Sequence, residues 1–202
     1  MHRSLEKMEI NIADNLLAPN KYSRPGMSEK RRGFLGLEIH YVQNPGTSAK
    51  ANRNYFELRK GGKHSYGSAH YIIDLDGSII RMIPDSEIAY SSGGTLYKPG
   101  IKEALGHPPY LSTVSIEFCH PQITGKPSRE TYNSLVKLSG FLCLKYSWTS
   151  SNVYRHWDLS NDKKWGPTGK ECPKFFVDFP TAWIRFKEDV DKIIRKQNDT
   201  KN

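Results

Sequence analysis

From Thr113 to Cys119 apolar and polar side chains alternate without a break, with Val114, Ile116 and Phe118 on one side and Ser115, Glu117 and Cys119 on the other. A period of two is the signature of a β-strand that turns one face to a core. Phe34 to Val42 repeats the pattern, with Leu35, Leu37 and Ile39 in the apolar row and Gly36, Glu38 and His40 opposite. Such strands belong in a sheet whose apolar rows are covered by other elements. The polar rows are the informative part. Glu117 puts a carboxylate in the middle of an otherwise apolar strand, and burying one is costly unless it is paired or has chemistry to do.

The rest of the chain supplies the cover. Ala69 to Leu75 and Ser78 to Ile83 read as a hairpin turning at Asp76-Gly77. Glu87 to Tyr90 and Asn152 to Trp157 read as short strands, and Ser91 to Tyr110 as a Gly/Pro-rich loop over a groove that Lys63 to Ser68, with His64 and Tyr66, would border. Helices are predicted at Ser48 to Lys60, capped by Thr47 or Ser48 and stopped by Gly61-Gly62, with Tyr55, Phe56 and Leu58 as its apolar contacts. Arg129 to Trp148 has Leu135, Leu138, Phe141 and Leu142 at helical spacing, and Pro180 to Lys196 has Trp183, Ile184, Phe186, Val190, Ile193 and Ile194. Strands alternating with helices imply an α/β fold: a single domain with a central mixed β-sheet flanked by helices. Residues 1–33 form an N-terminal arm in this reading, with Lys30-Arg31-Arg32 as a solvated basic cluster; 34–196 are the domain and 197–202 a tail or linker start.

A chain of 202 residues can bury a core without disulfide staples. Its three cysteines do not read as a disulfide framework: Cys143 suits the core, Cys119 the core or the edge of a site, and Cys172 stands in a polar Gly/Lys/Pro context. No run approaches the ~20 apolar residues of a membrane span. Met1 to Pro25 has no apolar stretch of the secretory kind, which predicts synthesis in the cytoplasm without a signal peptide. The net charge of +9 calls for an anionic partner or surface. Lys and Arg are spread along the whole chain and no nucleic-acid motif is present, so nucleic acid is not the expected partner.

Tyr154-Arg155-His156-Trp157-Asp158 and Gly169-Lys170-Glu171-Cys172-Pro173 bring two good zinc ligands, His156 and Cys172, close through one Gly/Pro-containing loop. In an extended segment Lys170 and Cys172 share a side, which places a cation beside the thiolate. The two can also be unrelated, one in the core and one on a turn; if a third ligand comes from elsewhere, a fourth position stays open for water, the arrangement of a catalytic rather than a structural zinc. His40 leads the candidates, because it ends a strand on the face away from the apolar row. His70 shares a strand face with Ile72, and His120 falls on an apolar row before Pro121, so both rank behind it. Asp158 is a fallback ligand or an orienting group for His156.

With these pieces assembled, the chain resembles the zinc-dependent N-acetylmuramoyl-L-alanine amidases of the type 2 family, which includes phage endolysins, bacterial autolysins and peptidoglycan recognition proteins. The resemblance is carried, in order, by Leu37-Glu38-Ile39-His40-Tyr41, Ser68-Ala69-His70-Tyr71-Ile72-Ile73-Asp74, Ser115-Ile116-Glu117-Phe118-Cys119, Arg155-His156-Trp157-Asp158 and Gly169-Lys170-Glu171-Cys172-Pro173. It implies His40, His156 and Cys172 as the Zn2+ ligands, Glu117 as general base and Lys170 as a stabiliser of the oxyanion. The implied reaction is hydrolysis of the amide between the lactyl group of N-acetylmuramic acid and L-alanine. The implied partner is peptidoglycan, with anionic cell-wall polymers drawn to the same positive field, for a monomer acting on the wall after release. Members with a tyrosine just before the Ala-His-Tyr-type histidine have that ring in the site; here the position is Ala69, which shifts weight onto Glu117. The alternative is a non-catalytic peptidoglycan-binding module of the same fold, in which the ligating cysteine is lost.

Overall fold

The computed structural model describes residues 8–26, 30–161 and 170–199. Among these described residues six strands form one sheet: β1 (Ala13–Asp14), β2 (Gly36–Tyr41), β3 (Tyr71–Ile73), β4 (Ile79–Arg81), β5 (Thr113–Phe118) and β6 (Val153–Arg155), in the order β1-β4-β3-β5-β2-β6. Only the β3–β4 hairpin is antiparallel; the other pairings are parallel, so the sheet is mixed.

The two alternating strands lie side by side in the middle of the sheet, Leu37 opposite Val114 and His40 opposite Glu117. Their apolar rows are covered by α3 (Arg129–Tyr146) and α6 (Pro180–Asp199), whose Leu135, Leu138, Leu142, Trp183, Phe186 and Val190 complete the main core with Phe176 of α5 (Lys174–Asp178). Ser128 caps α3 by accepting from the Thr131 amide at 3.0 Å. The opposite face carries a smaller apolar cluster built on Val42, Ala49, Ala69, Ile72, Met82 and Cys119, under α1 (Ala49–Leu58). The rows with Glu38, His40, Ser115 and Glu117 therefore open on the less heavily covered side. That side holds the site.

Several expectations are corrected. Leu35 precedes β2 and is exposed. Helix α1 buries Ala49 and Asn52, while Leu58 is 65% exposed and Tyr55 faces outward. In α6 Ile184 is 56% exposed, because it lies one residue, about 100° of helix, off the Trp183, Phe186, Val190 stripe. Glu87 to Tyr90 is not a strand, and Ser91 to Tyr110 contains a short helix, α2 (Ile101–Leu105). The N-terminal stretch is more than an arm, since Ala13–Asp14 adds the edge strand and Leu17 is buried. Arg31 is not a solvated charge: its guanidinium donates to the carbonyls of Gly33, Glu87 and Thr113. Residues 1–7, Gly169 and residues 200–202 lie outside the described residues. No described helix is long and apolar enough to cross a membrane.

Candidate active site

Three elements deliver three donors. His40 is the fifth residue of β2. His156 was expected inside a strand; instead β6 stops at Arg155, and His156 opens the one-turn helix α4 (His156–Leu159). The stop is chemical, because the Asp158 carboxylate accepts the Arg155 amide at 2.7 Å and caps the turn. Cys172 itself docks on this turn, its carbonyl accepting the Trp157 amide at 2.8 Å.

Arg155 holds the assembly. It is paired with Asp158 at 2.7 Å, donates to the Phe176 carbonyl at 2.8 Å, and lies against the rings of Trp157 and Trp183. Asp158 is thus committed to capping and to Arg155, which removes it as a fallback ligand.

His40, His156 and Cys172 converge, all three buried, with ligand atoms within 4.8 Å of one another. The His156 Nδ1 lies 3.1 Å from the His40 Nδ1, and the Cys172 Sγ lies 3.7 Å from the same nitrogen. On the far side of the His40 ring, Nε2 meets the Glu38 carboxylate at 3.1 Å. Nε2 therefore carries the proton it donates, leaving the Nδ1 lone pair for the cluster. Two imidazole nitrogens and a sulfur facing one another form a donor set that calls for a cation among them. Zn–N bonds near 2.0–2.1 Å and a Zn–S bond near 2.3 Å, set tetrahedrally, separate N from N by about 3.3 Å and N from S by about 3.6 Å. The two separations from His40 fit that ion, and His156 and Cys172 lie within 4.8 Å of each other.

The electrostatics agree. Burial alone would lower the His40 pKa, but Cys172, Glu38 and Glu117 outweigh it and raise it to about 10, so without a cation the ring holds a second proton, in the place that a bound cation would take. Burial, with His40 and Lys170 nearby, pushes His156 well below its usual value and keeps it a neutral donor.

The cluster lies in a cleft of about 740 Å³ that Tyr55, Tyr66, Ser68, Tyr90, Gly93, Glu117 and Lys170 also line. Glu117 stands beside His40 across the β2–β5 pairing, and its Oε2 is buried without a hydrogen-bond partner among the described residues. Burial raises its pKa, with His40 and Lys170 pulling the other way. A carboxyl with one oxygen left without a hydrogen bond in a cleft is available to take a proton.

The other candidates are occupied elsewhere. His70 Nδ1 accepts from the Ser115 amide at 3.1 Å and its Nε2 lies 3.1 Å from the Glu87 carbonyl, so it is a structural histidine. His120 places its ring nitrogens against the carbonyls of Gln122 and Val42. Ala69 is buried and offers only a methyl group. Two participants, Glu38 and Arg155, were not singled out from the sequence. Glu38 had a visible signal: it stands two residues before His40 in the same polar row. Arg155 had a weaker one, its i,i+3 spacing to Asp158.

Known proteins resemble this chain in sequence and in fold. Residues 33–175 match the model of the family Amidase_2, described as N-acetylmuramoyl-L-alanine amidase. N-acetylmuramoyl-L-alanine amidase CwlL of Bacillus licheniformis is 27% identical over 195 residues, covering 95% of this chain and 50% of CwlL. A probable N-acetylmuramoyl-L-alanine amidase of the same organism is 27% identical over 197 residues, covering 93% and 49%. The chain spans about half the length of these curated relatives. Among solved structures, PlyL superposes with a TM-score of 0.65 at 22% identity over 90% of this chain and 97% of that one. The PlyG catalytic domain gives 0.65 at 20% identity over 92% and 96%. These structures establish the fold, and the family model covers most of the chain. The chain therefore belongs to the N-acetylmuramoyl-L-alanine amidase family, Amidase_2.

Proposed function

We propose that this domain is a zinc-dependent peptidoglycan amidase, cleaving the amide that joins the lactyl group of N-acetylmuramic acid to the L-alanine of the stem peptide. The observation that carries the reading is the convergence of His40, His156 and Cys172 in the lining of a cleft that also holds the unpaired carboxylate oxygen of Glu117. These three side chains would hold the ion. Zinc bound there supplies Lewis acidity toward a carbonyl oxygen and lowers the pKa of water.

The chain's own groups do the remaining work. Glu117 accepts the proton of the attacking water and returns it to the departing alanine amine, a role that suits a carboxylate whose pKa burial raises. Lys170 lines the same cleft and places its ammonium near the carbonyl oxygen as negative charge develops. Tyr55, Tyr66 and Tyr90 give the cleft walls that stack on substrate and limit water. The expected catalytic unit is residues 34–196, acting on the cell wall.

Digestion of purified peptidoglycan, followed by mass spectrometry of the soluble products, tests this. Free stem peptides with an N-terminal alanine are expected. Retention on the walls without any released peptide would identify a binding module instead, and intact muropeptides would identify a different bond.

A further inference from the structure

Fully buried carboxylates persist where their oxygens are partnered, and the partners of Glu38 are informative. Glu38 lies in β2 two residues before His40, so both side chains leave the same face of the sheet. Its Oε2 meets His40 Nε2 at 3.1 Å. Its Oε1 accepts from Thr113 Oγ1 at 2.6 Å and from Ser92 Oγ at 2.8 Å. Thr113 opens β5 and is held by the sheet. Ser92 is different, because its neighbours Ser91, Gly93 and Gly94 line the cleft. One carboxylate thus connects a candidate ligand to the wall of the cleft above it.

We propose that Glu38 is a positioning residue with two effects: it fixes His40 in the tautomer and ring orientation that present Nδ1 to the metal, and through Ser92 it sets the position of the Ser91–Gly94 wall. The inference rests on the reading of His40, His156 and Cys172 as metal ligands. A carboxylate that accepts the outer N–H of a ligating imidazole stops the ring rotating and makes it a better donor; losing such a partner typically costs 10–100-fold in metal affinity. The anchor at Thr113 matters as much, since a carboxylate tied to a central strand cannot follow the ring if it turns. A glutamine at this position keeps the shape and one acceptor but loses the charge. It also turns an NH2 group towards one of the present donors, either the imidazole N–H or the hydroxyls.

The test uses zinc affinity, measured by competition with a chelator, in wild type, Glu38→Gln and Ser92→Ala. Glu38→Gln is expected to bind zinc about tenfold more weakly. Ser92→Ala is expected to keep zinc affinity within about threefold while raising KM for a soluble muramoyl peptide severalfold at nearly constant kcat, the pattern of lost ground-state binding. Nitrogen-15 NMR of the zinc-loaded wild type should show the His40 ring proton on Nε2, a readout that needs no variant to fold. Unchanged zinc affinity in Glu38→Gln, or a ring proton on Nδ1, would overturn the first effect. An unchanged KM in Ser92→Ala would overturn the second. A wild-type protein that takes up no zinc would instead remove the metal centre itself, and this proposal with it.

Discussion

The Nδ1 atoms of His40 and His156 stand 3.1 Å apart, although 116 positions separate the two residues in the chain. Strand β2 brings one and the end of β6 brings the other, with Leu37 and Ile39 registered against Val153 and Arg155. Parallel pairing aligns the strands so that their C-terminal ends finish on the same edge. In open α/β sheets, that edge is where ligands bind.

Removing one donor should therefore remove the ion. Cys172→Ser leaves two imidazoles and a hydroxyl that is a poor zinc ligand at neutral pH. Zinc affinity should fall by more than about 100-fold, beyond what the loss of an outer partner costs. Elemental analysis after dialysis against a weak chelator checks it, with one equivalent expected in wild type and little in the variant.

Glu117→Gln separates proton transfer from metal binding. Glu117 is not one of the three donors that would hold the ion, so zinc should remain stoichiometric. Hydrolysis of purified walls should drop by about 10²–10⁴-fold, the usual range for a lost general base. Turnover is measured as newly exposed amino termini; wild-type rates would exclude Glu117 from the chemistry.

His70 gives the domain an acid limit. Burial, reinforced by the Arg31 guanidinium 2.9 Å from Nε2 and only partly offset by Asp85 and Glu38, lowers its pKa to about 4. The folded pKa thus lies below the unfolded value, so the unfolded chain binds the extra proton first as pH falls. Stability from this residue is complete above about pH 6.5 and is lost between there and about pH 4, on the order of 3 kcal/mol in all. Urea unfolding at several pH values should show the decline, and His70→Gln should flatten that part of the curve.

Gly77 should not tolerate a side chain. Its φ is +83°, and an added Cβ would sit 2.8 Å from the Glu130 carbonyl oxygen. Strain in the left-handed region and displacement of the α3 backbone should together cost at least about 2 kcal/mol. For Gly77→Ala this means a melting point lower by roughly 4–8 °C in a domain of this size.

What could be read from residue order was mostly what depends on near neighbours. The alternation in β2 and β5 predicted which side chains share a face, and the face that carries His40 and Glu117 is where the cleft opens. The Asp76-Gly77 turn was legible for the same local reason. Features set by a distant partner were not. Tyr55 and Leu58 looked like core residues of α1, but that helix borders the cleft, and Tyr55 lines it. Arg31 looked like part of a solvated run, yet its carbonyl partners at Glu87 and Thr113 are 56 and 82 positions away. His156 lies just past a strand rather than within it because Asp158 ends the strand with a hydrogen bond that hydrophobic periodicity does not encode.

The parallel pairing of β2, β5 and β6 has a consequence for the order of assembly. Cys172 lies 132 positions after His40, so during synthesis a cation can find its full set of donors only after all six described strands have been made, with α5 and α6 still to follow. Unlike the ion of a zinc finger, which a short peptide can wrap, an ion here would join late. It would lock a sheet rather than seed one, while the helices that finish the main core are still being added behind the thiolate.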